Sequence, residues 1–212
     1  ELARDSAAPT VGSVKNVKRL ARFYKKYKRL VVVYPWQGER AGLPAVRKLT
    51  GKVDSNFANC HKTRRSTSGG ALVYGCHTWD GWSLTQEVVA TSSGESEFYA
   101  IVKGAITGLY IFHLLRWLDV EGTPTEVLSD SSAGRGMAAR IGTGRRVKHI
   151  ETQMLFVQHA VARGSIVLKK AKSETNCADL ATKYLAQHVM TRLLKLCNMK
   201  LIGAGVLAGL VR

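Results

Sequence analysis

Apolar residues recur along this chain with two different periods, and each change of period marks an element. Val17, Leu20, Ala21 and Tyr24 fall at helical spacing within residues 14–29, with lysine and arginine filling the rest of the surface. That spacing predicts a basic amphipathic helix. RLVVVYPW (29–36) follows as a β-branched run stopped by Pro35, and GERAGLP (38–44) reads as loop. From Lys48 the pattern becomes that of strands: KLTGKVDSNFA, then GGALVYGCHTW and WSLTQEVVATS, the last two joined at Asp80-Gly81, a strong hairpin signal. Three strands in an antiparallel meander are predicted.

Ser92 with Glu95 three residues later has the spacing of a capping box, and Ala100, Ile101, Ala105, Leu109, Phe112 and Trp117 extend an apolar run behind it. A long helix to Leu118 is predicted. TEVLSD then reads as strand, SSAGRGMAARI as a short helix, KHIETQMLFVQHAVARG as a helix with Ile150, Met154, Val157 and Val161 on one face, SIVLKKA as strand, and NCADLATKYLAQHVMTRLLKLC as a last helix. The order gives an α/β domain with a mixed five-stranded sheet, an antiparallel meander plus parallel strands reached by helical crossovers and flanked by helices. It occupies residues 46–200, after a basic helix and strand in 1–45 and before an apolar tail, 201–212.

At 212 residues and 45% apolar content the chain can bury a sizeable core. Charge narrows the partners: 32 Lys+Arg against 15 Asp+Glu give +17, with 13 basic and 3 acidic residues already in positions 1–53. Such an excess favours a polyanion, nucleic acid or an anionic membrane. Membrane is the weaker option, because the apolar tail LIGAGVLAGLVR is far shorter than the roughly 20 residues of a spanning helix. The start, ELARDSAAP, shows no initiator methionine and no apolar core of a signal peptide, as in a piece of a longer polypeptide. Four dispersed cysteines without a CxxC pair suggest a reduced, intracellular protein. Cys60-His61 and Cys76-His77 invite a zinc site, but adjacent residues of a strand point to opposite faces and converge poorly on one ion.

The chemistry rests on acids placed at element ends: Asp54 in the first strand of the domain, Glu97 in the first turn of the long helix, Asp130 closing the fourth strand and Asp179 opening the last helix. Bland alternatives exist for Glu97 and Asp179, which suit helix starts. Asp54 and Asp130, in apolar strands, would be costly as idle buried charges. Asp54 and Asp130 can meet as strand neighbours, and clustered carboxylates repel unless cations lie between them. Mg²⁺, a hard ion that takes carboxylates, phosphate oxygens and water, suits that place. Together with a basic surface, this points to phosphodiester chemistry.

The segments VDSNFA, RRSTSGG, VATSSGESEFYA, LSDSSA, RVKHIE and CADLATK, in that order between about Gly51 and Leu185, resemble the ribonuclease H domain of Copia-type LTR-retrotransposon polyproteins. VKNVKRLARFYKKYKRLVVVYP is more weakly similar to the end of the preceding reverse transcriptase. The resemblance implies a ribonuclease H-like fold, two Mg²⁺ ions (with Mn²⁺ as substitute) on Asp54, Glu97, Asp130 and Asp179, and hydrolysis of the RNA strand of an RNA-DNA hybrid. Glu95, two residues from Glu97, is expected to serve the helix N-terminus instead. Nucleic-acid contacts are expected from Arg64, Arg65, Ser66, Thr67 and Ser68, and from Arg145, Arg146 and Lys148. The implied partners are the hybrid and the polyprotein's reverse transcriptase, with no membrane, and the implied location is a cytoplasmic virus-like particle and the nucleus.

The chain departs from the family pattern at Asn56, Asn59 and the stretch 165–178, which has three lysines and no histidine. His149 is a possible replacement in proton transfer, against a buried or capping role. A hybrid-binding tether without catalysis is the alternative reading, separated from the first by metal-dependent cleavage.

Overall fold

The computed structural model describes residues 6–36, 48–120, 122, 124–142, 149–150 and 152–203. In chain order the elements are α1 (Val11–Lys26), β1 (Tyr27–Val32), β2 (Leu49–Asn56), β3 (Thr67–Tyr74), β4 (His77–Thr85), α2 (Ser93–Trp117), β5 (Thr125–Ser129), α3 (Ser132–Ala139), α4 (Phe156–Ala162), β6 (Ile166–Lys170), α5 (Asp179–Thr182), α6 (Gln187–Leu196) and β7 (Met199–Gly203). Short 3₁₀ turns at Thr152–Leu155 and Ser173–Thr175 precede α4 and α5. The chain divides into two units, Glu1–Val33 with Met199–Arg212, and Tyr34–Asn198.

In the first unit, Thr10 caps α1 by accepting from the Ser13 N–H at 3.1 Å, and the two hydroxyls complete a reciprocal box. Lys25 and Lys26 in the last turn suit the negative end of the helix dipole. Val17, Leu20 and Tyr24, the predicted apolar stripe, remain exposed. β1 pairs antiparallel with β7, so the segment read as an apolar tail contributes its first residues, Leu201–Gly203, to a two-stranded sheet.

The second unit is built on a five-stranded sheet ordered β4-β3-β2-β5-β6. β2, β3 and β4 are antiparallel neighbours, whereas β2–β5 and β5–β6 are parallel. The parallel pairs require crossovers, supplied by α2 between β4 and β5 and by α3 and α4 between β5 and β6. This is the mixed five-stranded sheet expected from the sequence, an antiparallel meander joined to parallel strands. Leu49, Val53, Leu72, Val127 and Ile166 from the strands meet Phe98, Ile101 and Ala105 of α2 and Val157 of α4 in one core. Burying each large side chain is worth about 1.5–3 kcal/mol.

α2 packs against the sheet through glycines that leave no room for a side chain. A Cβ at Gly104 would stand 2.5 Å from Val53 Cγ1, and one at Gly108 2.3 Å from Thr125 Cγ2. By length and composition α2 is also apolar enough to span a bilayer, but half of its apolar window is buried within the protein.

Three sequence expectations are corrected. The hairpin turn falls at Gly75-Cys76, where Gly75 takes φ +61°, and not at Asp80-Gly81. Asp80-Gly81 lies inside β4 beside a register shift, because Val73 pairs with Thr78 and Leu72 with Asp80, leaving Trp79 as an extra residue. The last helix is broken: α5 ends at Thr182, Lys183 is extended (φ −125°, ψ 149°), and α6 begins at Gln187. The helix expected over KHIETQMLFVQHAVARG is α-helical only from Phe156.

Candidate functional site

The β2–β5 register places the first acids. Thr50 is opposite Glu126 and Lys52 opposite Leu128, and the same offset continued sets Asp54 abreast of Asp130. Glu97 arrives from the fifth residue of α2, just past the first turn in which the sequence placed it; the N-cap of that helix is Ser92, accepting from the Glu95 N–H at 3.2 Å. A buried polar network fixes that turn to the sheet. The Ser55 and Ser96 hydroxyls lie 2.8 Å apart, and the Gln86 amide donates to the Ser96 carbonyl at 2.8 Å and to the Ser68 hydroxyl at 2.9 Å. The Ser55 N–H then donates to Glu97 Oε1 at 3.2 Å.

Asp54, Glu97 and Asp130 each bring one carboxylate oxygen to within 4.8 Å of the others. Asp54 is 2% exposed, and burial raises its pKa above 3.8, aided by Asp179 and opposed by Thr182 and Lys183. Burial likewise pushes Glu97 up to about 7, with the charge of Asp54 next and that of Asp130 adding to it. Asp130 accepts from the Ser173 hydroxyl at 3.2 Å.

Asp179 is not in this cluster but is tied to it through Lys183, whose ammonium is 2.7 Å from Asp179 Oδ1 and 3.3 Å from Asp54 Oδ1. Thr182 donates its hydroxyl to Asp54 Oδ2. Asn56 Nδ2 donates to the Thr182 carbonyl at 2.9 Å, so one of the departures from the family pattern ties β2 to α5. Asn176, 1% exposed, donates to the Val53 carbonyl at 3.1 Å and accepts from the Ala178 N–H at 3.3 Å, fixing the approach to α5.

Glu95 plays the separate part expected of it, with different partners. Its Oε2 accepts from the Thr91 N–H and hydroxyl, not from Ser92 N–H, and Oε1 accepts from Tyr99 and His149. Burial alone would raise its pKa, but the Thr91 and His149 hydrogen bonds hold it below 4.5. His149 is neither buried nor a helix cap: its ring is 46% exposed and its Nε2 lies 3.0 Å from Glu95.

The predicted phosphate-gripping stretch is revised. Ser66 and Ser68 are buried, with Ser66 accepting from the Ala58 N–H and Ser68 from Gln86, while Thr67 donates to Asn59. These hydroxyls hold the turn into β3. Gly69 also serves packing, since a Cβ there would be 2.5 Å from Thr182 Cγ2. Arg64 and Arg65 remain exposed, Arg64 with a φ of +57°. Arg145, Arg146 and Lys148 lie outside the described residues.

The donor set suits a hard divalent cation. Three carboxylates converge, and Glu97 Oε2 is buried without a hydrogen-bond partner, a costly state that a cation would relieve. Among the described residues, neither Glu97 nor Asp130 has an ion-pair partner.

No protein-family model matches the chain. It is 24% identical, over 142 residues, to the retrovirus-related Pol polyprotein from transposon TNT 1-94 of Nicotiana tabacum, covering 66% of this chain and 10% of that polyprotein. LC11-RNase H1, isolated from compost by a metagenomic approach, superposes with a TM-score of 0.41 at 17% identity, covering 63% of this chain and 91% of its own. Prototype foamy virus protease-reverse transcriptase gives a TM-score of 0.40 at 14% identity, over 78% of this chain and 22% of its own. A chain with a mixed β4-β3-β2-β5-β6 sheet is thus similar in sequence, over 142 residues, to a retrovirus-related Pol polyprotein from a transposon, of which it spans 10%.

Proposed function

We propose that the chain is the ribonuclease H part of a retrotransposon Pol polyprotein and cuts the RNA strand of RNA-DNA hybrids formed during reverse transcription. The observation that carries this reading is the convergence of Asp54, Glu97 and Asp130 within 4.8 Å, in a chain of net charge +17. The three carboxylates, with Asp179 beside them, would hold two Mg²⁺ ions, or Mn²⁺ in their place. The chemistry such a pair supplies is activation of water and stabilisation of the leaving 3′-oxygen.

The chain's own residues supply position and charge. Thr182 and Ser55 orient Asp54 and Glu97 through hydrogen bonds, and the exposed Arg64 and Arg65 are available to phosphates. Arg145, Arg146 and Lys148 are assigned the same work on sequence grounds. The 2′-hydroxyls and minor-groove shape of the hybrid, rather than base sequence, would set preference. Reverse transcriptase of the same polyprotein is the proposed partner, in cytoplasmic particles and then the nucleus.

The test is cleavage of a labelled RNA-DNA hybrid beside duplex DNA and duplex RNA, with Mg²⁺ or EDTA, for wild type and Asp130→Asn. Hybrid-specific cutting, abolished by EDTA and reduced at least about 10²-fold by Asp130→Asn, is expected. Hybrid binding without cutting under any metal condition contradicts the nuclease reading and favours a tether.

A further inference from the structure

Among the described residues at the site, Lys183 is a cation that the acid pattern does not account for. Its ammonium bridges Asp54 Oδ1 at 3.3 Å and Asp179 Oδ1 at 2.7 Å. A surface pair at helical i,i+4 spacing is usually worth little and reaches no further than its own helix. Here the backbone has already left the helix at Lys183, and the side chain reaches a carboxylate on β2 that is 2% exposed. The neighbouring Thr182 hydroxyl takes the other oxygen of that carboxylate. Asp54 therefore has both oxygens engaged from the α5 turn, while Glu97 Oε2 stays buried and unpartnered.

A single positive charge between Asp54 and Asp179 relieves part of the repulsion that a divalent ion bound by those two acids would relieve. Mg²⁺ coordinates oxygen at about 2.0–2.1 Å, well inside these ammonium distances, so ion and ammonium cannot share the place. The lysine side chain is 43% exposed, which leaves it a route into water.

We propose that Lys183 is a built-in stand-in for the second cation. It holds Asp54 and Asp179 together in the metal-free chain and is displaced when that ion loads. The inference rests on the proposed two-cation site. It makes Lys183 a positioning residue that sets the concentration at which the second ion enters: the first ion meets the ammonium on only one of its three acids, Asp54, whereas the second meets it on both Asp54 and Asp179 and must evict it.

Binding itself is the readout, independent of cleavage. Titration with Mn²⁺, followed by loss of the free-ion electron paramagnetic resonance signal, should show a tight and a weak site in wild type. Lys183→Met should tighten the weak site about tenfold and Lys183→Arg should not. In EDTA, Lys183→Met should melt below wild type, and saturating Mn²⁺ should close that gap; a merely structural lysine would leave the same gap under both conditions. In wild type, the ¹⁵Nζ signal of Lys183 should shift towards that of a solvated ammonium as Mg²⁺ is added, which tests the displacement without any variant. An unchanged or weakened second site in Lys183→Met, or a ¹⁵Nζ signal unmoved at saturating Mg²⁺, overturns the inference and leaves the nuclease reading standing. Failure of wild type and variant alike to bind any ion overturns both.

Discussion

The backbone N–H of Ser55 donates to Glu97 Oε1 at 3.2 Å, so the residue following one site carboxylate holds the next. The other oxygen, Oε2, is buried without a hydrogen-bond partner. Glu97 is thus held by one oxygen and left unsatisfied at the other, beside two further acids. Stability is being spent there on a charge arrangement that the fold does not need.

Replacing that charge should therefore stabilise the metal-free chain. Glu97→Gln keeps the acceptor for Ser55 and offers N–H donors to the neighbouring carboxylates. The expected gain is about 1 kcal/mol at pH 8 in EDTA, roughly 2–4 °C in Tm, measured by thermal denaturation. The same variant should lose Mn²⁺ binding at the three-carboxylate cluster.

The pH dependence has a definite sign. Glu97 titrates near 7 in the folded chain against 4.5 ordinarily, so between those values the folded state keeps a proton that the unfolded state has released. Metal-free stability should fall as pH rises from about 4.5 to 7 and then level off, with the raised Asp54 adding to the fall. Glu95, shifted the other way, loses its contribution only as pH drops through its lowered value, below that window. Because a cation must expel the Glu97 proton, Mn²⁺ affinity should climb with pH up to about 7, by at most about tenfold per unit for one proton. Urea denaturation in EDTA and Mn²⁺ titration at pH 5, 6, 7 and 8 check both halves.

Much of this arrangement was legible in the sequence because it follows local rules. Asp54 and Asp130 stood out as charges in apolar strands, and Ser92 followed by Glu95 marked the start of α2 to the residue. The misplaced hairpin shows where such rules compete: Asp-Gly is a strong turn signal, yet Gly75 supplies the positive φ and Asp80-Gly81 accommodates a bulge. The break after Thr182 was invisible because neither glycine nor proline marks it. It arises from tertiary anchoring, the Thr182 hydroxyl and Lys183 ammonium both being held by Asp54. The spacing of Asp179, Thr182 and Lys183, one turn of helix in the DLATK stretch, carried a signal for that role. The hydroxyls of Ser66, Thr67 and Ser68 looked free to bind phosphate because the sequence does not reveal Asn59, Gln86 and the Ala58 N–H as their partners.

Helix position matters to the site as well as to the core. Gly108→Val would drive side-chain atoms into Thr125, where even a Cβ stands 2.3 Å from Cγ2, and should cost about 1–3 kcal/mol. Lifting α2 also moves Glu97 away from β2, so Mn²⁺ affinity should fall with stability. Urea midpoints and metal titration on one sample measure the two together.

Asn176→Ala should cost about 1–3 kcal/mol, because it leaves the Val53 carbonyl and Ala178 N–H without their side-chain partner. Cation binding should weaken most at the second ion, since α5 carries Asp179, and less at the first, which α5 and the residue after it reach through the Thr182 and Lys183 contacts to Asp54.

The measurement that bears most directly on the site is anomalous scattering from a crystal soaked in Mn²⁺. A peak bounded by the carboxylates of Asp54, Glu97 and Asp130, with a second beside Asp54 and Asp179 once Lys183 has moved, is the expected result. Manganese absent from that cluster at saturating concentration, with Glu97 Oε2 still unpartnered, would contradict it.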